Sequence, residues 1–323
     1  MPLPRSGPEL LERIAARWRW FLYRVRFHPW TTNELPRLLG TLQDYMRLTR
    51  LDRPIGIWLL LWPTLWALWI AGRGRPDERL FIIFAAGTVL MRSAGCAIND
   101  YADRSFDPHV ERTRERPLAA GRISTLEALT LFAVLSLTAL LLALQLNKLT
   151  LLLAVLGAFF AITYPFVKRF LSVPQLYLGL TFGWGIPMAF AAELEYVPRV
   201  AWLFLIANML WVTVYDTIYA MVDREDDLRI GVRSTAILFG DSDRHIIAAL
   251  QAMTLLALYL GGRMLHMSGW YHAGLIAGAL FFVYQLWLIR DRDRAACFRA
   301  FLNNNYFGML VFIGILLNYQ FRR

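Results

Sequence analysis

The chain has 323 residues, of which 57% are hydrophobic, 14% aromatic and only 18% charged. That apolar share excludes both a water-soluble globule and a disordered chain. The formal net charge is +10, yet no separate basic domain exists. The charge therefore reads as membrane topology and contact with anionic lipid, and no nucleic-acid partner is expected.

In chain order, residues 1–45 form a basic N-terminal segment. Within it, ELLERIAARWRWFLYRVRF at 9–27 mixes Arg with Trp, Phe and Leu. Such a stretch suits an amphipathic helix on the inner leaflet, or equally a basic tail. It lacks a continuous apolar core, so no secretory signal peptide is expected. Residues 46–323 read as one membrane domain, with nine helical spans predicted at 54–72, 80–100, 125–146, 149–167, 174–192, 198–221, 246–265, 270–289 and 301–320. Each is near the ~20 residues needed to cross a bilayer. The expected fold is all-α: a polytopic membrane protein of about nine transmembrane helices.

Positive charge orients the spans. If the N-terminus and every second loop share a side, that side holds 25 of the 34 Lys and Arg, the other holds eight, and Arg92 lies inside a span. The positive-inside rule then places the N-terminus and the loops after spans two, four, six and eight in the cytoplasm.

Two of those cytoplasmic ends carry acid clusters. The first is Asn99, Asp100, Asp103 and Asp107 in GCAINDYADRSFDPH; the second is Asp216, Asp223, Asp226 and Asp227 in VYDTIYAMVDREDDLRIG. Carboxylates near hydrocarbon are expensive and mark function more often than not. Residues four apart drift only about 40° per step on a helix, so Asn99, Asp103 and Asp107 would share a face. By the same count Asp216, Asp223 and Asp227 would share another, with Asp226 pointing further off. Grouped acids repel one another unless a cation neutralises them. The expected cation is Mg²⁺, which binds through a few carboxylates and keeps positions for water and phosphate oxygens.

Basic residues surround the acids. Loop 101–124 carries Arg104, Arg112, Arg114, Arg116 and Arg122, with Ser124 or Thr125 as the next N-cap. Loop 222–245 carries Arg224, Arg229 and Arg233, and Lys168 and Arg169 follow Tyr164-Pro165. Acids for a metal beside bases for anionic oxygens suit a metal-bound phosphate ligand, although the positive-inside bias alone accounts for many of these Arg. Cys96 and Cys297 are far apart, and the five His form no ligand pattern. No phosphate-cradling glycine loop is present, so nucleotide cofactors are not expected. Buried acids also occur in transporters, but the inverted repeats typical of these are not visible.

NDYADRSFD matches the NDxxDxxxD motif of the UbiA superfamily of intramembrane prenyltransferases, and DREDD at 223–227 matches its DxxxD motif. LTRLDRPIGIWLLLWPTLWAL, YPFVKRF, FGWGIPMAFAA, the two acid blocks in full, and FLNNNYFG resemble the branch that prenylates 4-hydroxybenzoate. These blocks run from about residue 46 to 310. The resemblance implies helices around a central cavity, and transfer of a polyprenyl group from its diphosphate to the ring carbon ortho to the phenol of 4-hydroxybenzoate. It implies a step of ubiquinone synthesis at the bacterial inner membrane, with the acid loops facing the cytoplasm. It also implies that Asn99, Asp103 and Asp107 on one side, and Asp223 and Asp227 on the other, bind Mg²⁺-diphosphate. Lys168 and Arg169 would hold diphosphate oxygens, and Arg233 and Tyr164 would lie at the substrate. Beside this, Asp216 is a candidate to polarise or ionise the phenol, and Arg47, Arg50 or Arg53 to pair with the benzoate carboxylate. Another aromatic acceptor would keep the acid motifs and change the blocks around them.

In a variant without Cys96 and Cys297, single cysteines at positions 112 and 229 should label from the cytoplasmic face, and cysteines at 75 and 323 from the opposite face. Labelling of 112 and 229 from opposite faces would separate the acid clusters and end the shared-site reading.

Overall fold

The structure, a computed structural model, describes residues 12, 15–19, 35–167, 170–171, 173–231 and 233–321. Most of the stretch 9–27, where an amphipathic helix was one expectation, lies outside them, as do Lys168 and Arg169. Among the described residues there is no strand. Helix α1 (Leu35–Leu48) precedes the membrane domain. Then come α2 (Ile55–Ala71), α3 (Glu78–Asp103), α4 (Thr125–Ala143), α5 (Lys148–Val167), α6 (Pro174–Gly183) and α7 (Gly185–Leu194). The second half is α8 (Arg199–Ile230), the short α9 (Thr235–Phe239), α10 (Asp243–Met264), α11 (Gly269–Leu288) and α12 (Arg294–Phe321).

Among the described residues, seven helices are long and apolar enough to cross a membrane unaided, and the 17-residue α2 is an eighth, shorter candidate. The span expected at 174–192 appears as two ten-residue helices, α6 and α7. Pro187 explains the break: it lacks the N–H that would bond the carbonyl of Gly183. Trp184 between the halves keeps helical angles (φ −63°, ψ −21°), so the pair continues in one direction. The chain is therefore a multi-pass, all-helical membrane protein of about nine crossings.

Local sequence sets the ends. Asp77 caps α3 by accepting from the Leu80 N–H at 3.1 Å. Ser124 caps α4 in a reciprocal box with Glu127. α8 runs nine residues beyond the apolar span expected to end at 221, and it stops at Gly231, whose φ of +73° suits glycine. That extension carries the second acid cluster on one continuous helix.

The core gathers on α12. Three consecutive asparagines reach three different helices: Asn303 accepts from Gln285 of α11 (3.3 Å), Asn304 from the Trp211 indole of α8 (2.9 Å), and Asn305 from the Trp62 indole of α2 (2.8 Å). One turn on, the Gly308 carbonyl accepts from the Trp66 indole at 3.0 Å. Trp66 stacks on Trp211 at 5.5 Å, and Phe307 stacks on Phe282 at 4.1 Å. α11 and α12 approach backbone to backbone where Gly274 meets Gly314, as small residues allow in membranes.

Asn304→Ala leaves the buried Trp211 N–H without its acceptor. It should lower the unfolding free energy by about 1–3 kcal/mol, seen as a lower Tm in detergent. An unchanged Tm would show that the asparagine row does not hold the bundle.

Candidate active site

The first acid cluster ends α3. Asn99 and Asp103 lie on its last turn, and the Asn99 amide donates to Asp103 Oδ2 at 3.1 Å. Asp107, expected on the same helical face, instead begins a short 3-10 turn, Asp107–His109. Pro108 contributes to this, because it has no N–H to bond the Arg104 carbonyl as a continuing α-helix would require. The turn brings Asp107 back over the end of α3.

Asp100 faces inward and is 2% exposed. Both its oxygens accept from Arg50 Nη2 at 3.0 Å. Arg116 Nη1 then bridges Asp100 (3.0 Å) and Asp107 (2.9 Å). Across the mouth, Arg112 Nε donates to both oxygens of Asp223 at 2.9 Å, and its Nη2 reaches Asp223 at 2.5 Å. The Arg112 guanidinium also covers the Tyr219 ring at 4.6 Å. The loop between α3 and α4 therefore lies across the mouth, one arginine on each acid row. Burial pushes the Asp107 carboxyl up to about 6, against the opposing pull of Arg116. Such a carboxyl gains most when a further cation arrives.

Below the mouth is a cavity of about 1190 Å³. Asn99, Arg50, Arg53, Tyr164 and Asp216 line it, as do Arg112 and Arg116. Asp107 and Asp223 reach it through those two arginines, and Asp103 through Asn99. Asp227, one turn beyond Asp223, and the exposed Arg233 do not line it. Asp226 turns outward to Arg294 at 3.6 Å and Arg229 at 3.8 Å. The cavity continues as an apolar channel beside Phe132, Leu140, Ala154 and Ala158 of α4 and α5. These helices are the least enclosed of the spans, at 11% and 17% buried over their apolar windows.

Two polar residues mark the deep end. Arg92 lies seven residues before Asn99, and Asp216 seven before Asp223. Seven residues are two turns, so each stands about 10 Å deeper on the same helical face. Arg92 was legible in the sequence as the charge inside a span, but was given no role. Its Nη1 donates to Cys96 Sγ at 2.8 Å and its guanidinium sits 5.7 Å from the Phe182 ring centre. Its Nε is buried without a partner among the described residues. A Cβ on Gly56 would collide with the Arg92 guanidinium, so that glycine makes room for it. Arg50 is engaged with Asp100, and the Arg53 side chain is 78% exposed. Among the described residues that line the cavity, Arg92 is thus the cation that stands two turns below Asn99.

Among the described residues, no three His, Cys, Asp or Glu converge as an all-protein metal cage. The donors are hard oxygens in two separate rows. This suits Mg²⁺, which takes one or two carboxylates and completes its shell with water and substrate phosphates.

Asp100 and Asp103 should separate on mutation. Asp100→Ala takes the carboxylate from half-buried Arg50 and one of the two from Arg116 and should lower stability by about 1–3 kcal/mol, whereas Asp103→Ala should change it by less than about 1 kcal/mol. Thermal melts in detergent decide, and the reverse order would mean that Asp100 is not the structural acid.

Residues 60–313 match the UbiA prenyltransferase family. Among curated relatives, the 4-hydroxybenzoate octaprenyltransferase of Methylococcus capsulatus is 59% identical over 276 residues, covering 85% of this chain and 94% of that protein. The protein of the same name from Nitrosococcus oceani is 59% identical over 275 residues, covering 85% and 96%. Among solved structures, an apo UbiA homologue from Aeropyrum pernix K1 superposes with a TM-score of 0.71 at 27% identity, covering 81% of this chain and 97% of that one. A UbiA homologue from Archaeoglobus fulgidus bound to GPP and Mg²⁺ shares the fold, with a TM-score of 0.63 at 17% identity and coverage of 84% and 99%. With two acid rows facing across one intramembrane cavity, and a family match over most of its length, this chain belongs to the UbiA prenyltransferase family.

Proposed function

We propose that this enzyme transfers a polyprenyl group from polyprenyl diphosphate to the ring carbon ortho to the hydroxyl of 4-hydroxybenzoate, in ubiquinone biosynthesis. It works with Mg²⁺ at the cytoplasmic face of a bacterial inner membrane. The observation that carries this reading is the cavity itself, with acids and arginines at its mouth, one cation and one acid two turns deeper, and an apolar channel beside them. The names of the relatives at 53–59% identity point to the same acceptor and to an octaprenyl donor.

The roles follow from position. Asn99, Asp103 and Asp107 hold Mg²⁺-diphosphate from one side, and Asp223 and Asp227 from the other. Bound there, Mg²⁺ neutralises the diphosphate and stabilises the charge it gains on leaving. Arg112 and Arg116, now on carboxylates, exchange them for diphosphate oxygens. Lys168 and Arg169, which follow α5 in sequence, and Arg233 would supply further positive charge, and Tyr164 lines the path of the reacting carbon. The isoprenoid lies along α4 and α5, whose apolar walls keep water from the cation.

The acceptor sits below. Its carboxylate pairs with Arg92, whose Nε lacks a partner, rather than with Arg50, which Asp100 already holds. Its phenol faces α8, where Asp216 accepts the phenolic proton. The allylic C–O bond breaks and its electron pair leaves with the diphosphate. The ring carbon ortho to the phenol forms the new C–C bond, its proton leaves with the diphosphate, and Asp216 returns the phenolic proton as the ring regains aromaticity.

Membranes containing the enzyme should prenylate 4-hydroxybenzoate only with Mg²⁺. Activity should vanish in EDTA and return with added Mg²⁺; full turnover in chelator would defeat the metal assignment. Asp103→Ala, Asp107→Ala, Asp223→Ala and Asp227→Ala should each remove most activity without preventing membrane insertion, and the losses should not add, because the four serve one unit. Arg92→Leu should raise KM for 4-hydroxybenzoate and leave KM for the diphosphate near wild type. Equal changes in both would move the carboxylate elsewhere.

A further inference from the structure

The deep end of the cavity holds a second unpartnered group. Tyr215 stands in the cavity wall beside Asp216. It is 2% exposed, and its hydroxyl is enclosed without a hydrogen-bond partner among the described residues. The ring is held by its neighbours: Trp211 meets it edge-on at 5.4 Å and 86°, and Phe301 lies at 6.1 Å and 64°. Packed in this way, the hydroxyl does not swing to another acceptor. The bundle does satisfy a buried tyrosine elsewhere, where the Tyr271 hydroxyl donates to the Leu258 carbonyl at 2.8 Å.

A buried hydroxyl without a partner costs free energy. Phenylalanine would fill the same space without that cost. Arg92, Tyr164 and Asp216 line the same cavity as Tyr215. The ring thus belongs to the packed core, and the residue also stands in the wall of the cavity.

We propose that the Tyr215 hydroxyl hydrogen-bonds the phenol oxygen of the acceptor, and so is the contact by which the site distinguishes a hydroxylated benzoate from a bare one. The inference rests on the acceptor reading above and adds its specificity element. The phenol is chosen over the carboxylate because of where the two helices stand. Arg92, on α3, takes the carboxylate. Tyr215 and Asp216 of α8 both line the cavity, so the oxygen that faces α8 meets both. A phenol has one proton to give and lone pairs to receive. Asp216 accepts the proton, and Tyr215 donates to a lone pair. An analogue without the hydroxyl leaves the Tyr215 hydroxyl unpaired, which is the arrangement that discriminates most strongly.

The test uses the full-length enzyme in liposomes, comparing wild type with Tyr215→Phe. Benzoate, which lacks the phenol, serves as a competitive inhibitor. The variant should raise KM for 4-hydroxybenzoate about tenfold, the equivalent of one hydrogen bond to a partly charged oxygen. KM for the polyprenyl diphosphate and the inhibition constant of benzoate should stay at wild-type values, and the Tm should be equal or higher. Any of three results overturns the proposal: KM for 4-hydroxybenzoate within about twofold of wild type, parallel loss of affinity for benzoate, or a lower Tm, which would make the hydroxyl structural. Failure of the wild type to use 4-hydroxybenzoate overturns the acceptor reading and this inference together. A normal wild type with an indifferent variant overturns this inference alone.

Discussion

A carboxylate at membrane depth has to be compensated, and that requirement organises the reactive end of this protein. Asp100 is almost fully enclosed, and Arg50 and Arg116 converge on it from opposite directions in sequence. Arg50 belongs to the segment between α1 and α2, and Arg116 to the loop between α3 and α4. One buried charge therefore ties together two connections, beside the apolar cluster of Leu48, Ala97, Leu118, Ile123 and Ala128. Arg116 extends the arrangement to Asp107, and Arg112 carries it across to Asp223 on α8. The loop is folded by the same electrostatics that hold the ligand. Attraction in a medium of low dielectric is large, and so is the cost of leaving either partner alone.

The opposite task, holding apolar helices together where lipid offers them an equally good environment, falls to polar groups and to close backbones. α12 does most of this. Its asparagines address α11, α8 and α2 in turn, and its glycines admit Trp62, Trp211 and the backbone of α11. The indoles serve twice, as apolar bulk and as donors. The walls beside the isoprenoid channel are different. α4 and α5 present most of their surface outward, and α5 is tied to α6 and α7 by Thr163 with Tyr177 (2.6 Å) and by the Trp184 indole donating to the Leu153 carbonyl (2.7 Å). The rigid half of the bundle carries the charges, and the loosely enclosed half lines the path for a long, flexible chain.

Much of this was legible in the sequence. Apolar length gave the crossings, and the acid spacing gave the continuous row on α8, because both depend on local periodicity alone. Periodicity also misled at Asp107, where a single proline ended the regular repeat, and at 174–192, where Pro187 divided one span into two helices. Arg92 was visible as a charge inside a span, yet its role depended on what the fold placed opposite it. Asp100 was grouped with its neighbours by spacing, and only burial separated it as the anchoring acid. The asparagine row was legible as a block of resemblance but not as a tie, since three consecutive polar residues say nothing of which helices surround them. Tyr215 gave no signal, because an unpartnered hydroxyl is a property of the neighbourhood and not of the residue.

The two-turn offset that separates Arg92 from Asn99 and Asp216 from Asp223 acts as a ruler. Substitutions anywhere along those fourteen-odd positions leave the ruler intact, since the helix keeps its pitch. Removing or inserting one residue between the marks turns one end by about 100° relative to the other. That carries Arg92 or Asp216 off the cavity wall while the acids at the mouth stay in place. The depth of the two inner charges below the mouth is thus written in the length of helix, not in the identity of any side chain. Residues at either mark can be exchanged singly, but length changes inside α3 and α8 break the spacing short of a whole repeat.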